Sequence, residues 1–265
     1  MLRSVFGKTL HDRRVSTLAW TAGLTGMTVM YLAIFPSIRG QLPQLQQMLD
    51  AYPDALKSIF GMQEMTTLTG YLDVEMFSMT APLLFLMAAI GFGSSATTKE
   101  ESEKTIDLLL SAPVTRSRVV VEKFGSFAVG MIAMSGGLFL TLAVGSRLID
   151  EPLNLGNLAA AVLGAMLLGT QFGAVALLVG CATGRRGIAI AVSSALALGA
   201  FLLNSLAPLV DWLSDYQKLS PLYHSSGFQP LRNGPSPASA AVLVISAALF
   251  LGLAVMTFER RDLAA

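Results

Sequence analysis

The sequence predicts an all-α integral membrane protein of six transmembrane helices. Both termini are expected in the cytoplasm, with a short amphipathic cytoplasmic helix after the second span and a re-entrant or interfacial segment before the last. Three observations predict it. Of the 265 residues, 53% are hydrophobic and only 13% charged, with a mean hydropathy of +0.62. A soluble domain carries about a quarter charged residues. Six intervals without a charged residue, 15–38, 76–98, 124–146, 152–184, 187–210 and 233–258, each reach 23 residues or more. About 20 apolar residues cross a hydrocarbon core of about 30 Å as a helix. The third observation is the distribution of Lys and Arg, which favour the cytoplasmic side. Assigning alternate loops to opposite sides puts 13 of the 18 on the side of both termini and five on the other.

Composition also excludes. The net charge is +1, so no basic field points to nucleic acid. Cys181, the single cysteine, excludes an intrachain disulfide and a cysteine-only zinc site. The spans are continuous and rich in Leu, Ala, Gly and Met, without the alternation of a barrel strand. One membrane domain, 1–265, with no soluble domain is expected.

The elements follow in order. "MLRSVFGKTLHDRR", residues 1–14, sets Leu2, Val5, Phe6 and Leu10 against basic residues and reads as an interfacial helix. Span one is expected at about 16–36. It carries Thr21, Thr25 and Thr28, with Thr17, on one helical face; that face serves helix packing or lines a pathway. The outer segment 39–75 repeats Leu42, Leu45, Leu49, Leu56 and Phe60 at mostly helical spacing, interrupted by Pro53. One or two amphipathic helices on the membrane or capping the bundle fit it. Span two is expected at about 77–96, and span three at about 124–145. Span four, about 156–181, holds Gly169 and Gly173 as a GxxxG around Gln171, a pattern that lets helices approach closely. Span five, about 187–208, ends near Asn204, which joins the threonine face as a candidate for the pathway or a dimer face. The outer segment 208–236 combines Trp212, Tyr216, Tyr223 and Phe228 with prolines. Its 13 charge-free residues from 219 to 231 are too few to cross. The last span is expected at about 237–257.

Several apparent motifs carry no chemistry. "GKT" at 7–9 lacks the earlier glycine of a phosphate loop, since position 2 is Leu2, and no strand precedes it. "GFGSSA" at 91–96 ends a membrane helix where a dinucleotide fingerprint would follow a strand. His11 and His224 are too few for a metal site or a triad. The chain is therefore not expected to be an enzyme, and no cofactor is expected in it. No charged residue lies deep in a span, which argues against an ion-coupled carrier. Energy has to enter from elsewhere.

The loop 97–124, "TTKEESEKTIDLLLSAPVTRSRVVVEKF", gathers five acids and five bases. Thr98 followed by Glu101 is a capping-box pattern, and Glu100, Glu101 and Glu103 load the first turns with negative charge. Ile106, Leu109 and Leu110 form one apolar stripe, and Pro113 stops the helix, giving an amphipathic helix over 98–112. Its stripe lies either on lipid or in a groove of a soluble partner. Acidic first turns facing an anionic inner leaflet favour the partner.

"EESEKTIDLLLSAPVTRSRVVVEK" resembles the cytoplasmic loop of ABC type-2 export permeases. That loop tends to read Glu-x-x-(Gly)-Thr-Leu-Glu-x-Leu-Leu-x-x-Pro-Val-(Ser/Thr)-Arg and to close in Gly-Lys. Glu100, Glu101 or Glu103 occupy the acidic positions and Thr105, Ile106 and Asp107 the Thr-Leu-Glu. Leu109, Leu110, Pro113, Val114, Thr115, Arg116 and Lys123 continue the match. Lys104 in place of glycine and Glu122 before the closing lysine depart from the pattern. "FERRDLA" resembles the family's closing Phe-x-Arg-Arg-Asp-Leu, and "LSPLYHSSGFQPLRNG" its segment before the last span.

The resemblance implies a permease subunit of a bacterial cytoplasmic membrane. It would pair with a second copy or a paralogue and dock ATP-binding cassette subunits, which hold the ATP and Mg. In that family the matched loop is the coupling helix. It implies coupling roles for Glu100, Glu101, Glu103, Thr105, Ile106, Asp107, Leu109, Leu110, Pro113 and Arg116. The segment before the last span is an outer gate in the family, with Trp212, Tyr216, Pro221, Tyr223 and Phe228 the candidates here. Such permeases export drugs, peptides, lipids or polysaccharides, or serve copper-site maturation. The alternative from another class is a membrane scaffold that recruits a cytosolic protein and moves nothing.

Overall fold

The computed structural model describes residues 4–50, 67–102 and 115–261. Among them every regular element is helical. Six helices are long and apolar enough to cross a membrane, and each overlaps one of the expected spans.

Helix α1, Val5–Asp50, runs for 46 residues without a break. The N-terminal segment and the first span therefore share one helix, where the sequence suggested two. Helix α2 covers Leu68–Ser95. The Thr67 hydroxyl starts it by accepting from Gly70 N at 3.1 Å. Its turns over Asp73–Thr80 are π-helical, and the α-helical stretch resumes at Ala81 with Pro82 in its first turn. Proline removes a backbone donor, and π turns at such a place are a common accommodation inside a helix. A short helix α3, Thr98–Ser102, follows.

Helix α4 is Arg116–Leu148, helix α5 Leu155–Thr183, helix α6 Arg186–Leu206 and helix α7 Pro237–Arg260. Side-chain caps mark three of their starts. Thr115 accepts from Arg118 N, Asn154 from Gly156 N and Asn157 N, and Ser236 from Ser239 N. These satisfy amides that a helix start leaves unpaired. Gly184, at φ 67°, closes α5 in the left-handed conformation that favours glycine.

Helix α5 is the centre of the bundle. It packs on α2, α7, α6 and α4, and 67% of its most apolar window is buried against 17% for α6. Helix α1 instead lies along α4. Glycines set the closest approach. A Cβ on Gly93 of α2 would come within 3.0 Å of Ala176 Cβ, and closer still to the Gly173 carbonyl oxygen of α5. A Cβ on Gly169 would lie 3.1 Å from the Phe85 carbonyl. Gly169 of the GxxxG thus faces α2, whereas a Cβ on Gly173 would meet the Phe127 ring of α4; the small residues let α5 approach both neighbours closely. Gly93 belongs to "GFGSSA", so that glycine-rich stretch has a packing role.

The bundle has two distinct ends. The starts of α1 and α4 and the ends of α2, α5 and α7 meet at one, as the bonds described below require. At the other end Arg39 pairs with Glu151 at 2.6 Å and Arg232 with Asp73 at 3.3 Å.

Candidate functional site

Two features carry most of the expected functional residues, the charged end and the segment before α7; the threonine face and an apolar space between α2 and α6 lie apart from them.

At the charged end, helix C-termini present unpaired carbonyls and the negative pole of the helix dipole, both of which favour cations. Arg13 of α1 reaches the end of α2, donating to the Phe92 carbonyl at 3.1 Å and Ser95 Oγ at 2.8 Å. Its guanidinium lies 5.2 Å from the Phe92 ring centre. Buried Lys123 donates to the Ala96 carbonyl. Glu122 does the opposite work at a helix start. It accepts from Phe6 N at 2.8 Å and from Arg118 Nε at 2.7 Å, while Ser126 Oγ donates to the Phe6 carbonyl. Glu122, a departure from the family pattern, therefore ties the start of α1 to α4.

Arg261 joins the remaining pieces. Its guanidinium forks onto Glu101, with Nη2–Oε2 at 2.5 Å and Nη1–Oε1 at 3.3 Å, and Nη1 also donates to the Cys181 carbonyl at 3.0 Å. Its own carbonyl accepts from Arg116 Nη1 at 2.8 Å. Phe258, one turn earlier, is buried among Val120, Leu177, Cys181 and Ala254 and fixes the end of α7. Glu101 and Arg116, which flank residues 102–115, are thus held by a single arginine. Of the other expected coupling residues, Glu103, Thr105, Ile106, Asp107, Leu109, Leu110 and Pro113 lie outside the described residues, as does the side chain of Glu100. The capping box is not formed as expected. Thr98 is already helical, its hydroxyl donates to the Ser94 carbonyl at 2.5 Å, and Glu101 turns to Arg261.

Between α6 and α7 the chain makes short helical turns, Asp211–Ser214, Tyr223–Gly227 and Pro230–Asn233 among them. Ser225 is buried, and its carbonyl would lie 2.5 Å from a Cβ on Gly164. Gly164 sits nine residues into α5, about 14 Å along the axis at 1.5 Å per residue. The segment therefore reaches well down the side of the bundle. Ser220 Oγ donates to the Ala200 carbonyl at 2.7 Å, and Asn157 Nδ2 to the Leu231 and Arg232 carbonyls at 3.1 and 3.0 Å. Of the candidate gate residues, Trp212 and Tyr216 are exposed and Pro221, Tyr223 and Phe228 half-buried. Asn204 accepts from Gln217 at its backbone carbonyl, 3.4 Å, and its side-chain oxygen abuts Gly227. Replacing Asn157 with alanine removes both of its bonds to the segment. A cysteine placed at buried Leu222 or Ser225 should then label several-fold faster, each lost bond being worth about 1 kcal/mol; unchanged labelling would show that other contacts hold the segment.

The threonine face packs on α4. A Cβ on Gly130 or Gly137 would meet Thr17, Thr21 and Thr25, and Thr28 is fully buried with its hydroxyl bonded to the Leu24 carbonyl at 2.7 Å. This is helix packing. A separate apolar cavity of about 520 Å³ opens between α2 and α6, lined by Met79, Leu83, Met87, Ile190, Leu198 and Phe201 among others. None of Thr21, Thr25, Thr28 or Asn204 lines it.

Sequence reading missed the structural work of Arg13, Glu122 and Arg261. Arg261 stands in the "FERRDLA" stretch, so its place was marked without its partner. Among the described residues no three His, Cys, Asp or Glu side chains come together to hold a metal. A family model described as ABC-2 family transporter protein matches residues 3–263. No curated protein matches the chain.

Proposed function

Since the chain belongs to the ABC-2 family of transporter proteins, a family of membrane transport components whose ATPase is a separate subunit, we propose that it is the permease subunit of an ATP-driven exporter. Two permeases, identical or paralogous, enclose the path in a bacterial cytoplasmic membrane. Both termini and the Arg261 end face the cytoplasm. Residues 98–112 form the coupling helix, whose Ile106, Leu109 and Leu110 stripe enters a groove on an ATP-binding cassette subunit. Glu100, Glu101, Glu103, Thr105, Asp107, Pro113 and Arg116 shape and hold that helix. The segment 208–236 is the outer gate, and the cavity between α2 and the little-buried α6 opens toward the second permease.

The observation that supports this reading best is the bonding of Arg261. Glu101 and Arg116, on either side of residues 103–114, are both tied to Arg261, which follows the buried end of α7, so a push delivered between them would pass to the helix bundle. Coupling requires that property, because motion of the ATPase has to reach the spans.

The direct test replaces Leu109 and Leu110 with aspartate and purifies the chain with its ATPase. Two charges in an apolar groove should abolish the complex and reduce coupled ATP hydrolysis to the rate of the isolated ATPase. A complex of unchanged stability would refute the coupling role. Substrate-stimulated hydrolysis in liposomes separates the exporter from a non-transporting scaffold, which would show none.

A further inference from the structure

A second cavity, of about 750 Å³, opens at the Arg261 end between the first turns of α1, the end of α2 and the start of α6. Its mouth is basic: Lys8, Arg13, Lys99, Lys123 and Arg186 line it, against the single carboxylate of Asp12. Its deeper wall is apolar, formed by Trp20, Met87 and Ala88. Lys8 and Trp20 lie on one helix, 12 residues apart, or about 18 Å along it. Charge at one level and apolar surface beneath it is the profile of one leaflet of a bilayer, not of a soluble anion site.

We propose that this crevice binds one anionic phospholipid of the inner leaflet, its phosphate among the basic side chains and an acyl chain along Trp20 and Met87. The assignment of the leaflet rests on the cytoplasmic placement of this end in the proposed function; the binding itself does not. Lys8, Lys99 and Arg186 are exposed at the mouth, whereas Lys123 is buried beside it. A recess lined by one sign of charge with low-dielectric walls concentrates its field, and basic pockets between spans on the cytoplasmic side suit anionic headgroups. The apolar depth separates a lipid from free phosphate. Met87 is 53% exposed, so the lower part is open for an acyl chain to lie along.

Because α1 and α2 line the cavity and α6 contributes Arg186, a lipid there would bridge the three spans. The full chain in neutral detergent, without any ATPase, is exposed to an equal mixture of dioleoyl phosphatidylglycerol and dioleoyl phosphatidylcholine and examined by native mass spectrometry. The phosphatidylglycerol adduct should exceed the phosphatidylcholine adduct roughly tenfold, the size expected of several basic groups near one phosphate. Replacing Lys8 and Arg186 together with glutamine should lower the ratio several-fold, while Lys218→Gln at the opposite end leaves it unchanged. The substituted side chains are exposed, and an unchanged melting temperature checks that the fold survives. Equal retention of the two lipids, a ratio indifferent to the double substitution, or equal displacement by soluble glycerol phosphate would each overturn the proposal. None of these outcomes depends on the ATPase, so failure of the coupling test and failure of this one are told apart.

Discussion

Arg261→Ala should lower coupled ATP hydrolysis and transport by an order of magnitude or more while the chain still inserts and folds. The substitution strips the partner from Glu101, whose side chain is only 13% exposed, and the donor from the Cys181 carbonyl. Leaving one partly buried charge unpaired costs about 1–3 kcal/mol, and more as burial deepens. That cost falls on the short helix α3, between α2 and residues 103–114. Arg261→Lys keeps the charge but cannot fork onto both carboxylate oxygens, so it should give an intermediate value. Glu101→Ala alone should be milder, because it leaves no orphaned carboxylate. In the double variant the two effects should not add, since both remove one interaction. Wild-type coupling in Arg261→Ala, measured with the ATPase bound, would show that the loop is positioned by other contacts.

Gly93→Val is the second large effect, and it falls on the fold. The Gly93 position already faces the Gly173 carbonyl across the α2–α5 crossing, with Ala176 Cβ beside it. The obstacle is backbone, which cannot rotate aside as a flexible side chain does. Overpacking of this kind costs about 1–3 kcal/mol when neighbours can yield, and the upper end applies where they cannot. A melting temperature lower by about 6–12 °C is expected, at roughly 2–4 °C per kcal/mol for a chain of this size. Gly91→Ala is the control, since nothing lies within 4 Å of the Cβ it would add. A Gly93→Val chain that melts with the parent would mean that the two helices cross more loosely.

The six spans were legible because charge in this chain is confined to the ends of the helices, and hydrocarbon tolerates little else. The close contact at Gly169 and Gly173 was legible for a similar reason: two glycines four residues apart in an apolar helix leave a groove. Gly93 was not, because its neighbour is 80 residues away in sequence and a lone small residue has no period. The bonds of Arg13, Glu122 and Arg261 were hidden for the same reason. Charge counts put these residues at the membrane surface, yet their partners are backbone carbonyls, amides and a carboxylate brought near only by the fold. The capping-box reading failed on a local competition. Thr98 can accept from an amide ahead of it or donate to a carbonyl behind it, and continuing the line of α2 leaves the Ser94 carbonyl in reach. The continuity of α1 was missed because the charge at residues 8–14 resembles a surface helix. Contacts with Phe92, Ser95 and Glu122 hold that stretch in line with the span.

That continuity has a mechanical consequence. Before Pro36, where a proline removes a helix hydrogen bond, α1 supplies residues 5–35, about 47 Å of helix and longer than the hydrocarbon core is thick. Pivoting by about 5° about one end, a stretch of that length carries the other through about 4 Å. Pinned at Phe6 to Glu122 and packed on α4 as far as Leu32 beside Gly145, this stretch would tilt together with α4. The pair would carry a displacement at the charged cluster toward the other end of the bundle.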